Sequence, residues 1–85
     1  MKYFVEFLIP NNIATDSLAL IRNVDKEFVL ISDHLIAHDQ SMHRLFTGKI
    51  DSTAAVVLKL SYSSISKHMR ISYISDDLKN KYRNG

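Results

Sequence analysis

Three histidines and two aspartates lie close together in the middle of the chain, and imidazole and carboxylate groups are those that bind zinc or transfer protons. His34 and His38 are four residues apart, so in a helix they share one face, with His43 and Asp33 nearby. The metalloprotease motif requires a glutamate directly after the first histidine, but Leu35 holds that position. The spacing therefore favours a solvated polar helix face, and no metal ligand is predicted.

The other reactive residues do not form a catalytic set. His68 has no evident serine or carboxylate partner in the sequence, and Gly48 and Gly85 are the only glycines, so a glycine-rich phosphate loop is absent. The chain contains no cysteine, which excludes disulfides and thiolate zinc sites. We therefore predict neither an enzyme nor a bound cofactor.

The 85 residues make one small domain with a thin core, and such domains often rely on oligomerisation. The net charge of +2 is too small to define a partner, but its distribution is uneven. From Lys49 onward there are seven Lys or Arg against three Asp, a balance of +4, whereas residues 1–48 carry four against six acids, a balance of −2. A basic half is typical of phosphate binding, although a solvated surface can be equally uneven.

The first ten residues, MKYFVEFLIP, are too short and too acidic for a signal peptide. No stretch approaches the length of a membrane span, so we expect a cytoplasmic protein with no membrane partner. The aromatic and apolar run from Lys2 to Ile9 predicts a strand that Pro10 ends, and Asn11 and Asn12 predict a turn.

Residues 18–32 allow two predictions. One is a hairpin with strands at 18–24 and 27–32. The other is a long helix capped at Thr15 or Asp16, because apolar residues recur every three or four positions. The β-branched and aromatic residues of the second half favour the hairpin.

Two further helices are predicted. One runs from Asp33 to Phe46, with Asp33 as its N-cap, and Gly48 then suits the left-handed conformation that commonly ends a helix. The other begins at Ser75 near the C-terminus, where acidic residues in the first turn and basic residues in the last complement the helix dipole.

The stretch from Gly48 to Met69 fits two short helices joined by a tight turn. Ser52 and Thr53 can cap a first helix that runs to about Lys59. Ser61 can cap a second helix, which begins at residue 62 or 63 and continues to about residue 73. The predicted inward-facing set is Leu58, Leu60, Ile65 and Met69, with Ala55 small enough for the helices to cross closely.

These residues resemble the LuxR/GerE-type helix-turn-helix of bacterial transcription regulators. The family's characteristic small, apolar, serine and histidine positions correspond here to Gly48, Ala55, Leu58, Leu60, Ser61, Ser64, Ile65, His68 and Met69. The resemblance covers about residues 38–83 and implies DNA binding through the second helix. The sequence departs from the family where Ser64 replaces the usual Thr and Ala54 the usual Ile.

A strand prediction competes with this motif. Apolar or aromatic residues occupy every second position in two stretches, as is typical of strands. These are Val56, Leu58, Leu60 and Tyr62, and then Met69, Ile71 and Tyr73. A hairpin here would turn near residues 63–64, which offer neither the Gly nor the Asn that two-residue loops favour.

Residues 18–36, if they form the predicted hairpin, also resemble the opening strands of a PAS domain. A complete PAS fold needs far more residues than precede Gly48, so the resemblance implies a remnant without a ligand pocket.

Together these observations predict an α+β protein with short N-terminal strands at 1–36 and a helix-turn-helix segment at 37–85, or alternatively a small α+β sheet domain. The predicted function is a bacterial transcription regulator that binds double-stranded DNA as a homodimer, with Tyr3 to Ile9 as the first candidate dimer contact. The predicted DNA-binding residues are Lys49, Lys59, Ser61, Ser63, Ser66, Lys67 and Arg70. The alternative is a protein-binding inhibitor, antitoxin or immunity-type protein.

Overall fold

A computed structural model of the protein describes residues 2–72. The elements in chain order are β1 (Lys2–Pro10), α1 (Asn11–Val24), β2 (Val29–His38), β3 (Ser41–Asp51), α2 (Ser52–Ser61), α3 (Ser63–Ser66) and β4 (Met69–Ser72). The strands form one antiparallel sheet in the order β2-β3-β1-β4. The α+β prediction is confirmed, and the topology is the split β-α-β arrangement called ferredoxin-like. The predicted boundary between residues 36 and 37 falls inside β2.

The N-terminal strand prediction is confirmed, because β1 covers the predicted residues and ends at Pro10. It is a central strand that pairs with β3 on one side and β4 on the other. Val5, Phe7 and Ile9 are fully buried in the chain's own core. These side chains are therefore not exposed for the dimer contact that the sequence suggested.

Helix α1 follows β1 directly, so the turn predicted at Asn11 and Asn12 and the strand predicted at 18–24 are both wrong. Its buried residues Ala14, Ser17 and Ile21 recur at steps of three and four, which place them on one helical face. Burial of that face against the sheet outweighs the weak β preference of the segment.

The helix predicted from Asp33 to Phe46 is also wrong, because this stretch forms most of the β2–β3 hairpin. Asp39 and Gln40 have φ values of 49° and 65°, and positive φ at both central residues is the requirement of a two-residue type I′ loop. The carboxylate of Asp33 accepts hydrogen bonds from Nε and Nη2 of Arg44 across the hairpin instead of capping a helix. Gly48 lies inside β3 without a positive φ.

The first helix of the predicted motif is confirmed as α2, and the inward positions Ala55 and Leu58 are buried. Its cap is Asp51, whose carboxylate accepts a hydrogen bond from the Thr53 backbone N–H at 3.0 Å. This hydrogen bond lowers the pKa of Asp51. Leu60, predicted to face inward, is 82 % exposed.

The predicted second helix is corrected by the structure. Ser61 ends α2 instead of capping a new helix, and α3 is a single turn whose Ile65 is buried. The chain from Met69 to Ser72 is extended and pairs with β1, because the period-two apolar positions of this segment pack on the core. The strand prediction for this segment is therefore confirmed over residues 69–72. The predicted C-terminal helix lies outside the described residues.

The core lies between the helices and one face of the sheet. Its fully buried large side chains are Val5, Phe7, Ile9, Ile21, Phe46, Ile50 and Leu58. Helices α1 and α2 contribute to this single cluster, so they cover the same face of the sheet. None of the helices within residues 2–72 is long and apolar enough to cross a membrane.

Candidate functional site

The second face of the sheet, which we call the open face, carries no helix among the described residues. Side chains alternate between the two faces of a strand, so the even-numbered residues of β1 lie opposite to its buried odd-numbered ones. The pairing of β1 with β3 sets Phe4 opposite Lys49 and Leu8 opposite Leu45 on the open face. Polar, aromatic and apolar groups thus share one accessible surface.

A groove of about 670 Å³ crosses the open face near the C-terminal end of β1. Its apolar lining comes from the open-face side chains of Leu8, Ile36 and Leu45, and Met69 borders it at the start of β4. Its polar lining comes from Glu6, His38, Asp39, His43, Lys67, His68 and Arg70. The groove reaches from the β2–β3 hairpin to the start of β4, a span of three strand spacings or roughly 14 Å.

Histidines are the most unusual feature of this surface. The rings of His38 and His43 meet edge to face with centroids 5.1 Å apart. His38 Nε2 lies 3.3 Å from Asp39 Oδ2, and His43 Nδ1 lies 3.3 Å from the Ser41 hydroxyl. These contacts orient both imidazoles at the hairpin end of the groove.

His68 lies at the other side of the groove, just before β4. Partial burial lowers its pKa, and the charges of Lys67 and His43 lower it further. The imidazole is therefore more readily neutral than a free histidine. Its backbone carbonyl accepts a hydrogen bond from the Leu8 N–H at 3.1 Å, which ties this corner to β1.

The charge of the groove depends on its histidines. Lys67 and Arg70 balance Glu6 and Asp39 when the imidazoles are neutral. Glu6 lies directly opposite Arg70 in the pairing of β1 with β4, so the two charges are neighbours. Each imidazole that takes up a proton therefore adds net positive charge to the groove.

The structure gives no support for a metal site within residues 2–72. His34 and His38 lie on a strand and not on a helix, so four residues separate them by roughly 13 Å. No group of three or more potential ligands among the described residues is arranged to hold a metal ion.

At the opposite end of the open face, the Lys49 ammonium lies 5.0 Å from the centroid of the Phe4 ring. This is the distance of a cation–π contact. The pair places an aromatic ring and a cation on the same face of the sheet as the groove.

The predicted DNA-binding residues divide between two parts of the molecule. Lys67 and Arg70 line the groove, and Lys49 lies on the same face beside Phe4. The remaining predicted residues belong to the short helices: Lys59 and Ser61 lie on α2, and Ser63 and Ser66 are the first and last residues of α3. The structure thus brings three of the seven predicted residues to one face.

Several groove residues were missed by the sequence prediction. Leu8, His38 and His43 come from three different strands, and no linear motif connects them. Apolar and polar residues alternate only from residue 46 to residue 51, whereas residues 29–38 show no such alternation, so the sequence signal for this face is weak.

Comparisons of the chain with protein-family models, with curated proteins and with solved structures find no match. The function must therefore be argued from the open face itself, because a shared topology does not specify an activity.

Proposed function

We propose that the protein binds single-stranded nucleic acid along the open face of its sheet. The observation that carries the proposal is the groove, in which Lys67 and Arg70 stand beside imidazoles and an apolar floor. Proteins that bind single strands combine cations for the phosphates with flat or apolar groups on which bases stack. The open face offers both types of group.

The width of the surface supports a path for the strand. A chain of nucleotides that enters at the groove and continues across the sheet reaches Phe4 and Lys49. The Phe4 ring provides an aromatic surface for base stacking, and the Lys49 ammonium beside it provides a cation for a neighbouring phosphate.

A single strand fits these features better than a duplex. Reading of a duplex in its major groove requires a protruding helix or ribbon, whereas α3 is one turn long and β4 is paired with β1. The flat open face can instead contact unpaired bases, which are accessible in single strands.

The test is fluorescence anisotropy with labelled oligonucleotides of roughly 10 nucleotides, as single-stranded DNA, RNA and duplex DNA. We expect the single strands to bind more tightly than the duplex and to lose affinity as salt is added. Preferential duplex binding would contradict the single-strand proposal, and no binding to any oligonucleotide would contradict nucleic-acid binding altogether.

A charge-matched pair of variants tests the location of the site. The double variant Lys67→Ala/Arg70→Ala should lower affinity about tenfold and reduce the salt slope by about 0.7 for each lost phosphate contact. The control Arg22→Ala/Lys59→Ala removes the same charge from exposed positions on α1 and α2 and should bind almost as wild type does. Equal losses in both variants would contradict the groove.

The carboxylate of Glu6 offers a test by gain of affinity. It lines the groove opposite Arg70, where it repels phosphate. The isosteric substitution Glu6→Gln should therefore tighten binding of single strands severalfold. Unchanged or weaker binding would show that phosphates do not pass this point.

Protein binding is a second candidate function, and one observation favours it. Val56 and Leu60 lie one turn apart on α2 and are 53 % and 82 % exposed. An apolar pair of this kind is suited to contact another protein. A photo-cross-linking residue at position 60 should then capture one specific protein in cells, and the same residue at position 22 should not capture it.

A further inference from the structure

The outer edge of the sheet at β2 has no neighbouring strand among the described residues. β2 is ten residues long, and among residues 2–72 nothing pairs with the edge that faces away from β3. Natural edge strands are usually short or carry lysine or proline that prevents pairing with another chain. The sequence VLISDHLIAH has neither lysine nor proline, and its one irregularity lies between Leu30 and Ser32, at the start of the strand.

Exposed apolar side chains accumulate along the same hairpin. Val29, Ile31 and Leu35 of β2 are 50 %, 52 % and 58 % exposed, and Met42 on the neighbouring strand is 46 % exposed. The β2–β3 hairpin thus carries half of the large apolar side chains that are exposed in the described chain. A free edge together with apolar side chains indicates a surface that a partner covers.

We propose that a second copy of this chain covers the edge, with the two β2 strands paired antiparallel about a two-fold axis at Leu35. An exposed strand can pair antiparallel with a second copy of itself. A two-fold axis then sets each backbone N–H of one copy opposite a carbonyl of the other. The result is a continuous sheet of eight strands whose two open faces lie on the same side.

The irregularity of β2 determines where the axis falls. The ladder with β3 is shifted between Leu30 and Ser32, so the regular part of the strand is 32–38. Leu35 is the midpoint of this segment, and an axis there allows all seven residues to pair. A pairing register changed by one residue, with the axis midway between two residues, would place helix-side and open-face side chains opposite each other.

Side-chain chemistry supports this register. With the axis at Leu35, the two copies of that side chain face each other, and Asp33 lies opposite Ala37 of the second copy. In the same register His34 faces Ile36, so no like charges oppose each other. An axis at His34 opposes two histidines, and an axis at Ile36 sets His34 opposite His38.

The oligomeric state tests the interface by analytical ultracentrifugation over a range of protein concentrations. We expect the wild type to form dimers and Leu35→Lys to be monomeric, because two ammonium groups would meet at the axis. Ala19→Lys is the matched control, since it adds the same charge at an exposed apolar position on the solvent side of α1. A wild type that stays monomeric, or a Leu35→Lys variant that still dimerises, overturns the proposal.

The absence of cysteine from the chain allows a test of the register. Single-cysteine variants Leu35→Cys and Ala37→Cys should differ in air oxidation. The two Leu35 positions are about 5 Å apart between Cα atoms in the proposed pairing, within disulfide range. The two Ala37 positions are separated by roughly 13 Å along the strands. Rapid cross-linking of Leu35→Cys alone is expected, and cross-linking of Ala37→Cys at an equal rate overturns the register. Both readouts are independent of nucleic-acid binding.

Discussion

The ring of Phe28 lies directly over Gly48, so that a side chain on this glycine has no space. A Cβ atom at position 48 would be 2.6 Å from Phe28 Cζ and 2.5 Å from the Val29 carbonyl oxygen. Phe28 in turn meets Phe7 edge to face, with ring centroids 6.3 Å apart. The glycine therefore allows Phe28, in the loop before β2, to pack closely against the centre of the sheet.

Substitution Gly48→Ala should destabilise the protein by about 2 kcal/mol, because overpacking of this order displaces a ring and a backbone carbonyl. Urea unfolding followed by circular dichroism measures the change. Thr47→Ala, one residue away and on the open face, should cost much less. Similar losses at both positions would show that the contact with Phe28 is not what constrains Gly48.

The carboxylate of Asp25 joins two loops. It accepts hydrogen bonds from the backbone N–H of Glu27 at 3.0 Å and of Asp51 at 2.9 Å, and the residue is buried. Asp25→Ala should therefore destabilise the fold by about 1–3 kcal/mol, since it removes the acceptor of both donors. Asp16→Ala, an exposed aspartate on α1, is the control and should be nearly neutral in the same urea titration.

Some elements of the fold follow from local sequence rules, and others depend on tertiary pairing. β1 and α2 were predicted correctly because each satisfies a local rule: apolar residues end at Pro10 in one, and a short polar segment precedes Ala54 in the other. Such elements need little information from the rest of the chain. The α+β class follows from the presence of both.

The β2–β3 hairpin could not be predicted in this way. Its turn is built from Asp39 and Gln40, which lack the glycine that usually indicates a type I′ loop. The groove then remained hidden, because its residues meet only when β4 pairs beside β1. Tertiary pairing, which no local pattern contains, brings Lys67 and His43 to the same surface.

Gln40 should be the easiest position at which to stabilise the protein. Its φ of 65° costs a residue with a Cβ about 1–2 kcal/mol, whereas glycine adopts this conformation freely. Gln40→Gly should therefore gain about 0.5–1 kcal/mol after the larger entropy of glycine in the unfolded chain is subtracted. Thermal unfolding should show a midpoint several degrees higher, and Gln40→Ala, which retains a Cβ, should show no gain. A lower midpoint for the glycine variant would contradict the loop conformation.

His68 should make stability depend on pH near neutrality. Burial, and then the charges of Lys67 and His43, lower its pKa below the ordinary value of 6.5. As the pH falls through that value, the unfolded chain binds a proton at this site before the folded chain does, so the free energy of unfolding decreases. The contribution is fully present above the unfolded pKa and is lost progressively below it.

The neutral variant His68→Gln should remove this part of the pH dependence. We expect urea midpoints measured between pH 7.5 and about pH 5 to fall less steeply in the variant than in the wild type. Titration of the His68 ring by NMR should give a pKa below 6.5 in the folded protein. A ring that titrates above that value, or equal pH slopes in the two proteins, would contradict the burial of this imidazole beside Lys67.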